Sequence, residues 1–302
     1  MDTAAISSPR LAVLIDAENV PRNCVKSVLE EVAIYGTPTI KRIYGDWTNH
    51  QLDGWKTPLL ENAITPIQQY SYTTGKNSSD SAMIIDAMDI LYTEKTDGFV
   101  IVSSDSDFTR LAIRLREAGQ RVIGIGERKT PPAFITACDK FTYIEIIRKN
   151  FEDAHAAAEP TVPAATDTAA ISAPRPIPRD ASDKDAPTKR DRSRSAEKSD
   201  KTEKNEKAVE KPVEKSVKVE KITKSVTKLI ADSISDLSDE SPDVFMGELG
   251  NLLRRKKPDF DHRNYGYKSL TAMIQAIDRF DIDFRKTTDP NIKHPYVKDK
   301  DA

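Results

Sequence analysis

The sequence predicts a doubly wound α/β domain, a charged linker and a small winged-helix-like α+β domain, and three observations lead there. Over residues 10–150, short apolar runs alternate with helical patterns, the signature of a parallel sheet with crossover helices. No Phe, Tyr or Trp occurs between Phe151 and Phe245, and no Gly between Gly126 and Gly247. Beyond that gap, three helical patterns and a pair of alternating strands give the outline of a winged helix-turn-helix. The expected segments are 1–150, 151–221 and 222–302.

In the first segment, RLAVLID (10–16) reads as a buried strand and PRNCVKSVLEEVAIYG as a helix opened by Pro21. A strand at TIKRIYGD, a short helix at WKTPLLENA and a strand at ITPIQQYS follow. Next come a long helix from about Ser79 to Lys95, the strand GFVIVSS, the helix DFTRLAIRLREAG and the strand QRVIGIG. The helix PPAFITACD and a last strand near YIEII complete the domain. The middle segment is first rich in Ala, Pro and Thr and then alternates Lys with Glu, carrying 15 basic and 15 acidic residues. Such a stretch buries too little apolar surface to offset its conformational entropy, so a solvated, disordered spacer is expected, with an end-to-end distance of about 45 Å. In the last segment, Ile222, Val226, Leu229, Ile230 and Ile234 recur at helical spacing, VFMGELGNLLRRK and SLTAMIQAIDRF give two further helices, and FDIDFRKTT with HPYVKDK reads as a hairpin.

Composition removes several classes of function. The net charge of -2 argues against an overtly basic nucleic-acid coat, leaving only a local patch for phosphate contact. Cys24 and Cys138 stand far apart without a CxxC partner, which excludes a disulfide framework and a thiolate zinc site. With no apolar run of membrane-spanning length and no apolar signal core, a soluble, cytoplasmic chain is expected, with no membrane contact.

Carboxylates gather where an open parallel sheet places its functional residues, at the carboxyl ends of strands. Asp16 ends the first strand in LIDAENVPRN, and Asp105 and Asp107 end the fourth in IVSSDSDFTRL. Asp80 lies in the first turn of the long helix. If the first and fourth strands are neighbours, these acids meet in one crevice. Hard divalent cations take oxygen ligands, so converging carboxylates without a catalytic His point to Mg²⁺ or Mn²⁺ and to hydrolysis of phosphodiesters. Taken singly, each has a plainer reading: Asp107 as a helix cap, Asp80 as a first-turn partner of the helix dipole. Dinucleotide and nucleotide-loop chemistry are poor fits, because LIDAENVP has no glycine, GIGERK (124–129) has only the first pair of a GxGxxG, and no GxxxxGK[ST] occurs. The four His form no metal or triad motif.

LIDAENVPRN, KNSSDSAMIIDAMDIL and VSSDSDFTRLAIRLREAGQRVIGIG closely resemble the NYN (LabA-like) domains, relatives of the PIN nucleases. The resemblance covers about residues 10–147 and implies a Rossmann-like PIN-type fold with a metal-dependent RNase site. By position, Asp16, Asp80, Asp105 and Asp107 are implied as metal-site carboxylates, with Asp16 and Asp105 as primary ligands. Asn19 is implied as the polar partner of the D-x-x-N motif and Ser104 as a hydroxyl at the site floor, while Asp86 ranks lower. On this reading Asp16→Asn abolishes cleavage and leaves stability unchanged or higher, because carboxylate repulsion falls.

The stretch SPDVFMGELGNLLRRKKPDFDHRNYGYKSLTAMIQAI resembles the OST-HTH (LOTUS) domains, whose relatives bind RNA or protein partners. Weak RNA contacts are expected from Arg254, Arg255, Lys256 and Lys257 and from Arg263, Tyr265, Tyr267 and Lys268. The basic run also suits a helix C-terminus, and Tyr265 a core position. The expected protein is a metal-dependent ribonuclease of single-stranded RNA with a tethered RNA- or partner-binding module. The competing expectation is a non-catalytic RNA-binding adaptor with a vestigial or regulatory metal pocket. Oligomeric state is not legible.

Overall fold

The structure is a computed structural model and describes residues 8–70, 78–93, 96–156, 219–238, 243–286 and 293–301. The linker expected at 151–221 lies, over 157–218, outside the described residues. The same holds for Lys95, expected at the end of the long helix.

Six parallel strands form the first sheet: β1 (Arg10–Asp16), β2 (Thr37–Gly45), β3 (Thr65–Gln68), β4 (Gly98–Val102), β5 (Arg121–Gly126) and β6 (Lys140–Tyr143). Their order is β3-β2-β1-β4-β5-β6, so the direction of winding reverses between β1 and β4. These two strands pair in parallel, Ile15 opposite Val102, which brings their carboxyl ends together. Alternation along β1 builds both faces of the domain. Leu11, Val13 and Ile15 join the core under α1 (Val25–Ala33) and α6 (Ile144–Ala156). Ala12 and Leu14 join the core under α3 (Ser78–Thr93), α4 (Thr109–Glu117) and α5 (Pro132–Ala137). The short α2 (Lys56–Glu61) precedes β3.

One element differs from the sequence reading: YIEII is not a strand. β6 ends at Tyr143, and Ile144 begins α6. Ile144, Ile147 and Phe151 recur at helical spacing, and the first two are buried in the core that holds Val25, Val28 and Val32. The glycines of GIGERK also find a use. A Cβ at Gly124 would stand 2.5 Å from the Phe141 ring, and one at Gly126 2.5 Å from the Ser103 carbonyl oxygen. They are packing glycines that let β5 press against its neighbours.

The C-terminal domain comprises α7 (Lys224–Ser235), β7 (Val244–Phe245), α8 (Met246–Lys256), α9 (Leu270–Gln275), β8 (Phe280–Lys286) and β9 (Lys293–Asp299). β8 and β9 form the expected antiparallel hairpin, and the two-residue β7 adds to the free edge of β9. Val226, Ile230, Leu249, Leu253, Met273 and Val297 meet in one core. Gly266 closes the turn before α9 at φ 81°, a left-handed conformation that favours glycine.

The described residues of the two domains fall in one compact unit, so the domains are docked. The Phe141 amide of the edge strand β6 donates to the Pro258 carbonyl at 2.9 Å, and the Tyr143 hydroxyl donates to Asp259 at 2.9 Å. Arg263 grips Glu31 of α1 with two hydrogen bonds, of 2.8 and 2.7 Å, and also bonds Asp261. Arg128 pairs with Glu220. An exposed edge strand invites pairing with foreign chains, and here the second domain covers it.

Candidate metal centre

The crevice at the reversal point between β1 and β4 is acidic throughout. Asp80 enters it from the first turn of α3, and Asp105 and Asp107 from the turn after β4. One carboxylate oxygen from each of these three lies within 4.8 Å of the other two. Asp80 is buried, Asp105 half-buried and Asp107 exposed, so the cluster has a closed floor and an open mouth. Local structure explains the positions. Asp105 caps the turn that follows β4 by accepting the Asp107 amide at 2.9 Å, which holds the two acids side by side.

Asp16, 2% exposed, lies behind this cluster with both oxygens engaged. Oδ1 accepts the amides of Glu18 (3.0 Å) and Asn19 (3.2 Å); Oδ2 accepts Asn19 Nδ2 and Ser103 Oγ, both at 2.8 Å. A carboxylate offers about four lone-pair positions, and here all are taken. Asn19 thus pins Asp16 from its own loop and Ser103 pins it from β4. Ser103 also accepts the Asp105 amide at 3.1 Å, tying the two acids through one hydroxyl. Ser104, in contrast, accepts the Glu127 amide at 2.8 Å and holds β4 to the end of β5.

The electrostatics record the crowding. Burial pushes the Asp80 carboxyl up, and the charges of Asp16, Asp105, Glu18 and Asp107 push it further, to about 7. Glu18 is also raised, by burial and then by Asp16, against the hydrogen bond of Ser79. Five acids therefore share one crevice. Two contributors, Glu18 and Ser103, were not singled out from sequence. The run of acid, Ala, acid in LIDAENV and the doubled serine in IVSSDSD were the available signals. Asp86 lies elsewhere, bonded to Arg42 and the Tyr44 hydroxyl.

The donor set is carboxylate oxygen alone, with no imidazole or thiolate, and its like charges repel in the absence of a counter-ion. Such a set suits a hard divalent cation such as Mg²⁺ or Mn²⁺. The fold and this cluster converge on one family of domains. An NYN domain occupies residues 10–145, and an OST-HTH/LOTUS domain residues 218–292. The chain carries both. Among solved structures, it is similar to a protein of unknown function from Vibrio parahaemolyticus, with 20% identity over 47% of this chain and 96% of that one and a TM-score of 0.39. It is also similar to an uncharacterized protein from Nitrosomonas europaea, with 26% identity over 32% of this chain and 91% of that one and a TM-score of 0.25. No curated protein matches.

The residues expected to touch RNA in the OST-HTH/LOTUS domain fall into two groups. Tyr265 is 5% exposed and packs on Phe260 in the core, Tyr267 lies against the same core, and Arg263 is committed to Glu31 and Asp261. Arg254, Arg255 and Lys268 are exposed. Lys256 pairs with Asp236, and Lys257 is 3.9 Å from Asp259. Among the described residues, no helix is long and apolar enough to cross a membrane.

Proposed function

We propose that this protein is a metal-dependent ribonuclease that hydrolyses single-stranded RNA. The observation that carries this is the Asp80, Asp105 and Asp107 cluster in an NYN domain, with the Asp80 carboxyl raised to about 7 by burial and then by its acidic neighbours. Asp80, Asp105 and Asp107 would hold Mg²⁺ or Mn²⁺, and Asp16 would join them only by releasing one of its donors. A cation bound there would lower the pKa of a water and offset charge at the phosphorus.

The protein's own residues do the rest. Asp105 and Asp107 stand at the open mouth, where a phosphodiester can approach. Asp16, fixed by Asn19 and Ser103, keeps the floor negative and rigid, so the ligating oxygens do not have to reorganise. In the metal-free protein burial and the neighbouring acids raise the Asp80 carboxyl to about 7, so Mn²⁺ affinity is expected to rise as pH passes through that value and the carboxylate forms.

The test is incubation of labelled single-stranded RNA with Mn²⁺, with and without EDTA, beside calorimetric titration of Mn²⁺. Cleavage that EDTA stops supports the nuclease. Mn²⁺ binding without cleavage leaves the adaptor reading in its place.

A further inference from the structure

A second feature lies at the opposite end of the sheet from the acidic crevice. Where α1 ends and β5 and β6 begin, docking of the OST-HTH/LOTUS domain leaves an open cleft of about 480 Å³ whose walls come from both domains. The NYN domain contributes Arg121, the first residue of β5, and Lys140, the first residue of β6. The other domain contributes Arg254 from the last turn of α8, with Arg263 at the base.

The charges in this cleft do not cancel. Its two acids, Glu31 and Asp261, are spent on Arg263. Arg121 has no carboxylate partner among the described residues and lies over the Tyr35 ring, 5.8 Å from its centroid. Lys140 stacks on the same ring at 4.7 Å and reaches Asp261 only at 3.8 Å. Among the described residues Arg254 bonds the neutral Asn251, at 2.7 Å, and no carboxylate. Glu31 and Asp261 are balanced by Arg263 and Lys140 together, so the excess charge at the opening comes from Arg121 and Arg254, one from each domain, with Lys140 between them and the acids. Burial draws Lys140 below the ordinary lysine range, against the pull of Asp261, so an incoming anion would relieve it. Tyr35 already carries two cations on its ring, so the cleft presents charge where a bare aromatic platform would be needed for a base. The ligand chemistry is thus phosphate rather than nucleobase. The cations come from separate elements, β5, β6 and α8, around an open cleft, which suits a polymer backbone better than a single phosphate.

We propose that this cleft is an exosite for the phosphodiester backbone of single-stranded RNA, built jointly by Arg121 and Lys140 of the NYN domain and Arg254 of the OST-HTH/LOTUS domain. It rests on RNA as the substrate class, and not on catalysis. The cleft and the acidic crevice are separated by at least the length of β5, about 20 Å. Only an RNA long enough to span that distance engages both.

The test is fluorescence anisotropy of the full chain with a labelled, unstructured RNA of about 20 nucleotides in EDTA, so that cleavage plays no part. Arg121→Glu and Arg254→Glu, one on each domain, are each expected to weaken binding about fivefold or more at low salt and to flatten the salt dependence. Lys56→Glu, an exposed reversal on α2, is expected to leave affinity within about twofold. Weakening by Arg254→Glu but not by Arg121→Glu would overturn the shared site and confine RNA to one domain. An effect of Lys56→Glu equal to that of Arg121→Glu would reduce the site to general surface charge and also overturn it. Displacement of the RNA by millimolar inorganic phosphate would identify a single-phosphate pocket and overturn the backbone assignment. If EDTA-resistant binding behaves as expected but no cleavage occurs with Mn²⁺, the exosite stands and the nuclease reading falls.

Discussion

Two clusters of charge occupy this protein, and their balance is opposite. At the carboxyl ends of β1 and β4, Asp16, Glu18, Asp80, Asp105 and Asp107 are all acids, and Asp80 is driven up to about 7. At the docking surface near the start of β6, Glu31 and Asp261 meet Arg263 and Lys140. Burial there would raise the Glu31 carboxyl, but the hydrogen bonds and charge of Arg263 outweigh it and hold Glu31 below the usual range. Crowded like charge has a folding cost and suits the binding of a cation; opposite charge that is paired and bonded points to structure. The sign of the shift separates the two roles where burial alone does not.

The sharpest way to break the comparison is to neutralise one acid of each cluster. Asp105→Asn keeps an oxygen for the Asp107 amide and removes a charge, so RNA cleavage is expected to fall about a hundredfold or more with stability retained, as read by initial rates beside thermal melting. Arg263→Ala strands the 5%-exposed Glu31 carboxyl without its partner, and a loss of about 3 kcal/mol is expected in denaturant unfolding. Hydrogen exchange at the Phe141 amide checks that the loss is undocking, because its acceptor belongs to the other domain.

Asp80→Asn tests the unrelieved cluster through pH. The folded-state pKa is raised, so the folded protein binds the proton more tightly than the unfolded chain, and wild-type stability declines as pH rises from about 4 to about 7. The Asn variant escapes that decline. It is expected to exceed wild type by up to about 4 kcal/mol at pH 8, with the advantage vanishing near pH 4, and saturating Mn²⁺ is expected to shrink the gap by stabilising wild type. The smallest effect belongs to the paired cluster. Glu31 has a lowered pKa, so its contribution is present above about pH 4.5 and is lost as pH falls through the folded value; Phe141 protection is expected to weaken in acid and not in mild alkali.

Much of this was legible in the sequence. The alternation of strands and helices follows from the apolar runs, and the approach of Asp16 to Asp105 and Asp107 follows from their places at the ends of β1 and β4 once those strands are neighbours. Ser103 and Glu18 were harder to read, because pattern shows which strand a residue ends but not which of two adjacent serines turns toward the acid. Docking was illegible for a further reason: Glu31 and Arg263 are 232 positions apart, and each alone reads as a solvated surface charge. The expectation that Asp16→Asn leaves stability unchanged or higher also changes. Its Nδ2 would replace one carboxylate oxygen and face two of the four donors that surround Asp16, and a cost of about 1–3 kcal/mol is expected in thermal or denaturant unfolding. Asp105→Asn is the cleaner probe.

The most direct measurement is the initial rate of cleavage of labelled single-stranded RNA by wild type and Asp105→Asn, each with Mn²⁺ and with EDTA. Rapid cleavage by wild type that EDTA stops, and that Asp105→Asn lacks while retaining its melting temperature, is the predicted result. Equal rates for the two proteins, or cleavage that persists in EDTA, would contradict a metal-dependent nuclease centred on this cluster.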